Sequence, residues 1–276
     1  MNKTLLIDAG NSSLKWALLE AHPPTFTACL LSEMHSVVYA EKSPANVFKD
    51  VLLMQQTSEI DAVVMVSVLG DDFSHFSKVH CAKYALELTL VKSEPQLAGI
   101  TVAYDDPDKL GTDRLVAMIA AHHLANNQAC IVVDAGTATT IDAVDAQGQH
   151  LGGLILSGLD LCSQSLLKNT ELLASRSSHT LGKNSKQSFE PKLFSSDTKQ
   201  AIVSGSLFGL TGAIDTICLN MEKEIQNKSM DSRTIKKFIC GGSANEMRSY
   251  LKTDFIFVED LVMQGLKIIS TIKQSS

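Results

Sequence analysis

The run Leu5-Leu6-Ile7-Asp8-Ala9-Gly10-Asn11-Ser12-Ser13 returns 126 residues later as Ile131-Val132-Val133-Asp134-Ala135-Gly136-Thr137-Ala138-Thr139. Each copy is a short apolar segment ending in an aspartate, then a glycine with hydroxyl or amide side chains. That is the pattern of a buried strand opening into a tight turn. A second strand-like run follows each turn, Leu14–Leu19 in one case and Ile141–Val144 in the other. The later copy continues through Asp145-Ala146-Gln147-Gly148, a turn signal, into Leu151-Gly152-Gly153-Leu154-Ile155-Leu156. Self-similarity at an offset of nearly half the chain implies two similar lobes.

Around these units, Ala62–Val68 is apolar and β-branched enough for a central strand, and Ala85–Val91 reads as another. Leu115, Met118 and Ile119 recur at helical spacing, with Thr112 or Asp113 as the expected cap and Asn126-Asn127 as the stop, so a helix joins the lobes. Thr198–Leu219 is helical in pattern, and its Gly205, Gly209 and Gly212 imply close backbone packing. Phe238–Cys240 reads as a strand running through Gly241-Gly242 into a helix from about Ala244, and Leu261–Ile272 as an amphipathic helix. The polar stretch 175–197 reads as a surface loop.

Composition narrows the function. The 276 residues carry 24 Lys+Arg against 30 Asp+Glu, a net charge of −6, and only 5% aromatics, which excludes the basic, stacking surface of a nucleic-acid binder. With 45% hydrophobic and 20% charged residues the chain is globular, and no run reaches the ~18 uninterrupted apolar residues of a membrane helix. Leu5–Ile7 is too short for the core of a secretory signal. Six scattered cysteines with no Cys-x-x-Cys imply reduced thiols in a cytoplasmic protein rather than a zinc site or disulfides.

A carboxylate at a strand end followed by a glycine turn can hold a cation while backbone N–H groups and hydroxyls embrace phosphate oxygens. A single Asp-Ala-Gly is equally a hairpin turn with a local hydrogen bond. Its repetition in two lobes points to a clamp, with Asp8, Gly10, Asn11, Ser12 and Lys15 on one side of a polyphosphate and Asp134, Gly136, Thr137 and Ala138 on the other. Gly241-Gly242-Ser243-Ala244 offers a close approach for an adenine or phosphate at a helix N-terminus, or simply a strand-to-helix turn. In Gly111-Thr112-Asp113-Arg114, Asp113 is either a helix cap or a base placed to take a proton from an attacking hydroxyl. Arg114 beside it is either solvated or placed to bind an acidic substrate bidentately. His122-His123 lacks a third ligand and reads as packing or surface, and Trp16 as core.

These motifs, in order over almost the whole chain, resemble the type III pantothenate kinases of the acetate and sugar kinase/Hsp70/actin superfamily. Asp8-Ala9-Gly10-Asn11-Ser12-Ser13-Leu14-Lys15 is similar to that family's first phosphate motif. Tyr104, Asp106-Pro107 and Gly111–Arg114 are similar to its Tyr…Gly-x-Asp-Arg segment, and Asp134–Asp142 to its second phosphate motif. Gly152-Gly153, Thr198 and Gly241-Gly242 stand where the family has them. The resemblance implies an α/β fold of two ribonuclease-H-like lobes, an actin-like ATPase duplication, over residues 1–123 and 124–276 with a cleft between them. It implies a kinase that phosphorylates (R)-pantothenate with ATP, the first step of coenzyme A synthesis. Asp113 would be the base, and Tyr104, Gly111, Thr112, Asp113, Arg114 and Thr198 would contact pantothenate. Asp8, Ala9, Gly10, Asn11, Ser12, Ser13, Leu14, Lys15 and Thr137 would contact ATP. Asp8 would lie near Mg²⁺, and Asp134 would ligate a monovalent cation, K⁺ or ammonium. A homodimer is implied as well. Ser12 replaces a threonine, Ser157 occupies the Pro-Gly expected before Leu159, and Val68-Leu69-Gly70 replaces Val-Val-Pro, changes to loop stiffness rather than to chemistry. A phosphohydrolase of the same superfamily and a non-catalytic regulator on the same fold are the other readings; a sugar kinase would need longer insertions.

Overall fold

The computed structural model describes residues 3–20, 30–39, 42–55, 60–169, 190–228 and 235–274. In chain order the first elements are β1 (Lys3–Ala9), β2 (Ser13–Glu20), β3 (Leu30–Leu31), β4 (His35–Val38), α1 (Pro44–Gln55), β5 (Ala62–Ser67), α2 (Gly70–Lys83), β6 (Glu87–Leu90), β7 (Gln96–Leu97), β8 (Ile100–Thr101) and α3 (Thr112–Leu124). Then come β9 (Cys130–Ala135), β10 (Ala138–Val144), β11 (His150–Ser157), α4 (Leu159–Asn169), α5 (Thr198–Lys228), β12 (Lys236–Cys240), α6 (Ala244–Met247), β13 (Ile256–Phe257) and α7 (Leu261–Gln274).

The chain forms two compact units. One holds Met1–Cys130, Ala143–Gly152 and Asp260–Ser276, the other Ile131–Asp142 and Gly153–Glu259. They interleave the two halves of the sequence repeat, because α7, last in the chain, packs on α3 and against β1 and β5.

In the first unit the sheet order is β3-β2-β1-β5-β6, with β4 also paired to β2. β1 is antiparallel to β2 and parallel to β5, so it is central and reads as an unbroken apolar run. Successive side chains leave a strand on opposite faces. Leu5, Ile7, Ala9, Leu14 and Trp16 therefore join Phe48 and Leu52 of α1 and Phe73 of α2 in one buried cluster. Leu6, equally buried, belongs to the opposite face, where α3 and α7 pack. Each fully buried aliphatic or aromatic side chain contributes about 1.5–3 kcal/mol, so the strand ends that carry the acidic turns are held by both layers.

The second sheet runs β11-β10-β9-β12-β13. Here the repeat is similar but not identical. The Gly10 N–H donates to Ser13 O at 3.1 Å, whereas the Gly136 N–H donates to Ala138 O at 3.1 Å, so the second turn is one residue shorter.

Other expectations are corrected. Gly111 holds the N-cap position of α3, without a side-chain cap, in place of Thr112 or Asp113, and α3 lies wholly in the first unit. α6 is four residues long, too short for the helix-terminus anion site expected after Gly241-Gly242. α5 continues nine residues past Leu219 to Lys228, and a Cβ at Gly205, Gly209 or Gly212 would meet nothing within 4 Å. Those glycines pack against no described part of this chain. α5 is long and apolar enough to cross a membrane by composition, yet Ile202, Leu207, Leu210, Ile214 and Cys218 are buried, as in a core helix. Of the stretch 175–197, residues 175–189 lie outside the described residues.

Candidate active site

The first acidic turn is built by strand pairing. Asp8 and Lys15 sit directly opposite in the β1–β2 register, so their side chains share a face, two residues from the turn on β2. Asp8 is half-buried; Asn11 and Ser12 are exposed at the tip. Ala9 and Leu14 are fully buried in the core, which leaves only their backbone for any ligand. Two further residues complete this turn. Tyr39 donates its N–H to Ser12 O at 3.1 Å, and its buried hydroxyl makes no hydrogen bond among the described residues. Burial, and then the Asp8 charge, push the Tyr39 phenol well above its ordinary range, so it stays a neutral donor beside Asp8. Asp260 meets the Lys15 ammonium at 3.3 Å.

In the second unit Asp134 is the penultimate residue of β9, half-buried, with Thr137 exposed at the turn. The backbone around them is crowded. A Cβ at Gly241 would lie 2.5 Å from Asp134 Oδ1 and 2.6 Å from Ala135 O. Gly158 presses on the carbonyls of Gly136 and Thr137 and donates its N–H to Thr137 O at 3.1 Å. A carboxylate among backbone carbonyls is a set of hard oxygen donors, which suits a hard cation rather than a soft one.

The third group lies at the start of α3. Asp113 is half-buried, and its Oδ1 accepts the Arg114 N–H at 2.8 Å. A Cβ at Gly111 would fall 2.6 Å from that oxygen, so a larger residue there would push the Asp113 carboxylate aside. Arg114 is buried to 7% exposure, and its Nη1 donates to the Tyr104 hydroxyl at 3.2 Å with the guanidinium 6.0 Å from the ring centroid. His150, 1% exposed, stacks on Tyr104, with ring centroids 6.0 Å apart at 15°. Ser93 donates to Leu110 O at 2.9 Å and lies 3.3 Å from the Thr112 hydroxyl, fixing the approach to Gly111. The structure thus brings Tyr104, Gly111, Thr112, Asp113 and Arg114 together. Thr198 belongs to the second unit, as the first residue of α5 after Asp197, whose Oδ1 accepts the Gln200 N–H at 2.9 Å.

Of the added residues, Asp260 alone carried a signal, an acid just before the apolar Leu261-Val262-Met263. His122 is buried and His123 exposed, and Trp16 is core, as expected. Among the described residues no three His, Cys, Asp or Glu side chains cluster as a metal site. A Mg²⁺ held by one carboxylate and nucleotide phosphates needs no such cluster, so Asp8 fits that use.

A family model described as type III pantothenate kinase matches residues 4–220. The chain is 31% identical over 270 residues to the type III pantothenate kinase of Janthinobacterium sp. (strain Marseille), covering 96% of each. It is 32% identical over 273 residues to that of Aromatoleum aromaticum, covering 96% of this chain and 97% of the relative. Among solved structures, the activator of the 2-hydroxyisocaproyl-CoA dehydratase from Clostridium difficile with bound ADPNP aligns with 99% of this chain and 97% of its own, at 13% identity and a TM-score of 0.48.

Proposed function

The chain belongs to the type III pantothenate kinase family, and from that premise we propose how its residues phosphorylate pantothenate with ATP for coenzyme A synthesis. The pantothenate hydroxyl oxygen attacks the γ-phosphorus, the bond to the β-phosphate oxygen breaks, and ADP leaves. Asp113 takes the hydroxyl proton. Tyr104, Gly111, Thr112, Arg114 and Thr198 bind pantothenate, with Arg114 meeting its carboxylate bidentately. The backbone of Asp8 to Lys15, the side chains of Asn11, Ser12 and Lys15, and Thr137 bind ATP. Asp8 and Asp134 are the residues that would hold Mg²⁺ and a monovalent cation, K⁺ or ammonium; when bound, these neutralise phosphate charge. The observation that carries this reading is the pairing of the half-buried Asp113 carboxylate with the buried Arg114–Tyr104 hydrogen bond on one short segment.

The strand–turn–strand repeat supports a duplication of lobes over 1–123 and 124–276. Exposed Leu151, Leu154 and Ile155 on β11, and the open glycine face of α5, support a homodimer. Five free cysteines among the described residues support a reducing, cytoplasmic setting.

The test is to supply ATP, Mg²⁺, K⁺ and pantothenate and detect phosphopantothenate by mass spectrometry. ADP release should require pantothenate, and replacing K⁺ with Na⁺ should lower the rate. Asp113→Asn should lower turnover by about 10²–10⁴-fold, the share of a lost general base, while ATP affinity holds. Turnover near that of the wild type would remove Asp113 from this role.

A further inference from the structure

In the first unit, the ion pair between Lys15 and Asp260 is more deeply buried than those of Lys3 with Glu20 and Lys42 with Asp50. The side chains of Lys15 and Asp260 are 25% and 8% exposed, against 28% and 37% for Lys3 and Glu20 and 65% and 42% for Lys42 and Asp50. Exposed pairs of that kind hold little. A carboxylate as buried as Asp260 is costly unless a cation faces it.

Asp260 is also fixed in place. Its Oδ1 accepts the Met263 N–H at 2.9 Å, and its carbonyl accepts the Gln264 N–H at 3.3 Å, so it caps α7. The first turn of α7 is anchored by Leu261 and Met263, both fully buried. The other oxygen, Oδ2, stands 3.3 Å from the Lys15 ammonium, an ion-pair separation without hydrogen-bond geometry. Lys15 is the opposite case, a point charge on a flexible four-carbon stem. Sheet pleat explains the meeting. Ala9 and Leu14 face the α1–α2 core, so the neighbouring pair Asp8 and Lys15 faces the α3–α7 layer where Asp260 lies.

We propose that Asp260 is a positioning residue for nucleotide binding, which holds the Lys15 ammonium beside the Gly10–Ser12 turn so that it is pre-set for phosphate oxygens. The inference rests on the reading of Lys15 as an ATP contact. A lysine held before binding loses less side-chain entropy when phosphate arrives. Asp260 touches no substrate in this account and acts through Lys15.

The test uses the full chain and a non-hydrolysable ATP analogue, with binding read by calorimetry. Asp260→Asn keeps an oxygen for the Met263 N–H and removes the charge. It should weaken the analogue by about tenfold, the scale of one lost charge-assisted contact, and should raise the KM for ATP more than it lowers kcat. Asp260→Glu keeps the charge and should bind the analogue more tightly than Asp260→Asn. A residue that served only as a helix cap would rank the two the other way, because asparagine caps better. In a Lys15→Met background, Asp260→Asn should add nothing. Should Asp260→Asn not fold, Asp260→Ser, whose hydroxyl also caps, gives the same comparison. Unchanged affinity in Asp260→Asn while Lys15→Met weakens binding overturns the proposal alone. Unchanged affinity in Lys15→Met overturns the reading of Lys15, and the role of Asp260 with it.

Discussion

Replacing Gly158 with alanine adds one methyl group and removes no chemistry, yet it should damage the second acidic turn. The new Cβ would stand 2.8 Å from the Thr137 carbonyl carbon and closer still to the carbonyl oxygens of Gly136 and Thr137. Favourable carbon contacts begin near ~3.5 Å, so the turn must retreat by roughly 0.7 Å or more. Backbone is on both sides of the clash, and no flexible side chain can yield. Overpacking of this kind costs about 1–3 kcal/mol, which corresponds to a fall of about 2–12 °C in melting temperature for a chain of this length. The larger effect should be functional, since a misplacement near 1 Å can cost about 10²-fold in rate, and both Asp134 and Thr137 ride on this turn. Differential scanning calorimetry and a coupled ADP assay at varied ATP and K⁺ measure the two effects. Gly205→Ala is the control, because its Cβ meets nothing within 4 Å. A Gly158→Ala protein with wild-type melting temperature, KM for ATP and K⁺ response would refute the claim that the turn is wedged.

Further outcomes follow from the same geometry. Arg114→Lys cannot keep both the hydrogen bond to Tyr104 and the planar fork for a carboxylate, so the KM for pantothenate should rise about tenfold or more with that for ATP nearly constant; steady-state kinetics that move both equally would contradict this. Burial pushes the Cys81 thiol up to about 11 and those of Cys130 and Cys218 up to about 12. Iodoacetamide at pH 8 should therefore alkylate the half-exposed Cys162 first among the described cysteines, as read by peptide mass spectrometry. Burial also lowers the His122 imidazole below its ordinary 6.5, against the backbone carbonyls of Asp145 and Ala146, which favour the charged ring. The unfolded chain then takes the proton first, so stability is full above pH 6.5 and declines as pH falls below it. His122→Gln should flatten that decline between pH 7 and 5, and parallel melting curves would exclude the assignment.

Strands that are apolar throughout and end in Asp-Ala-Gly were legible because burial on both faces dictates composition residue by residue. So were α3 and α7, whose periodicity survives translation into structure. Helices α1, α2 and α4 were not foreseen: their apolar positions are sparse and become a face only when a sheet supplies the other half. The cap of α3 is ambiguous in sequence because Thr112 and Asp113 are both good N-cap residues, whereas the helix starts one residue earlier, with Gly111 at the N-cap and Asp113 Oδ1 accepting the Arg114 N–H. In the candidate site, the residues proposed to touch a ligand stand in local motifs, which spacing reveals. Tyr39, His150, Gly158 and Asp260 act across long separations in sequence, and a linear pattern holds no trace of such contacts.

The return of α7 to the first unit has a consequence for biogenesis. Lys3–Ala9 is made before the second unit, whereas α7, which packs against β1 and shares a layer with α3, is made after it. Until then that apolar β-surface is covered by α3 without its partner helix. The nascent chain must wait, partly open, with its first-synthesised strands exposed to mispairing. Closure of the first unit therefore has to wait until the second unit has been made, which lengthens the time its apolar face stands open.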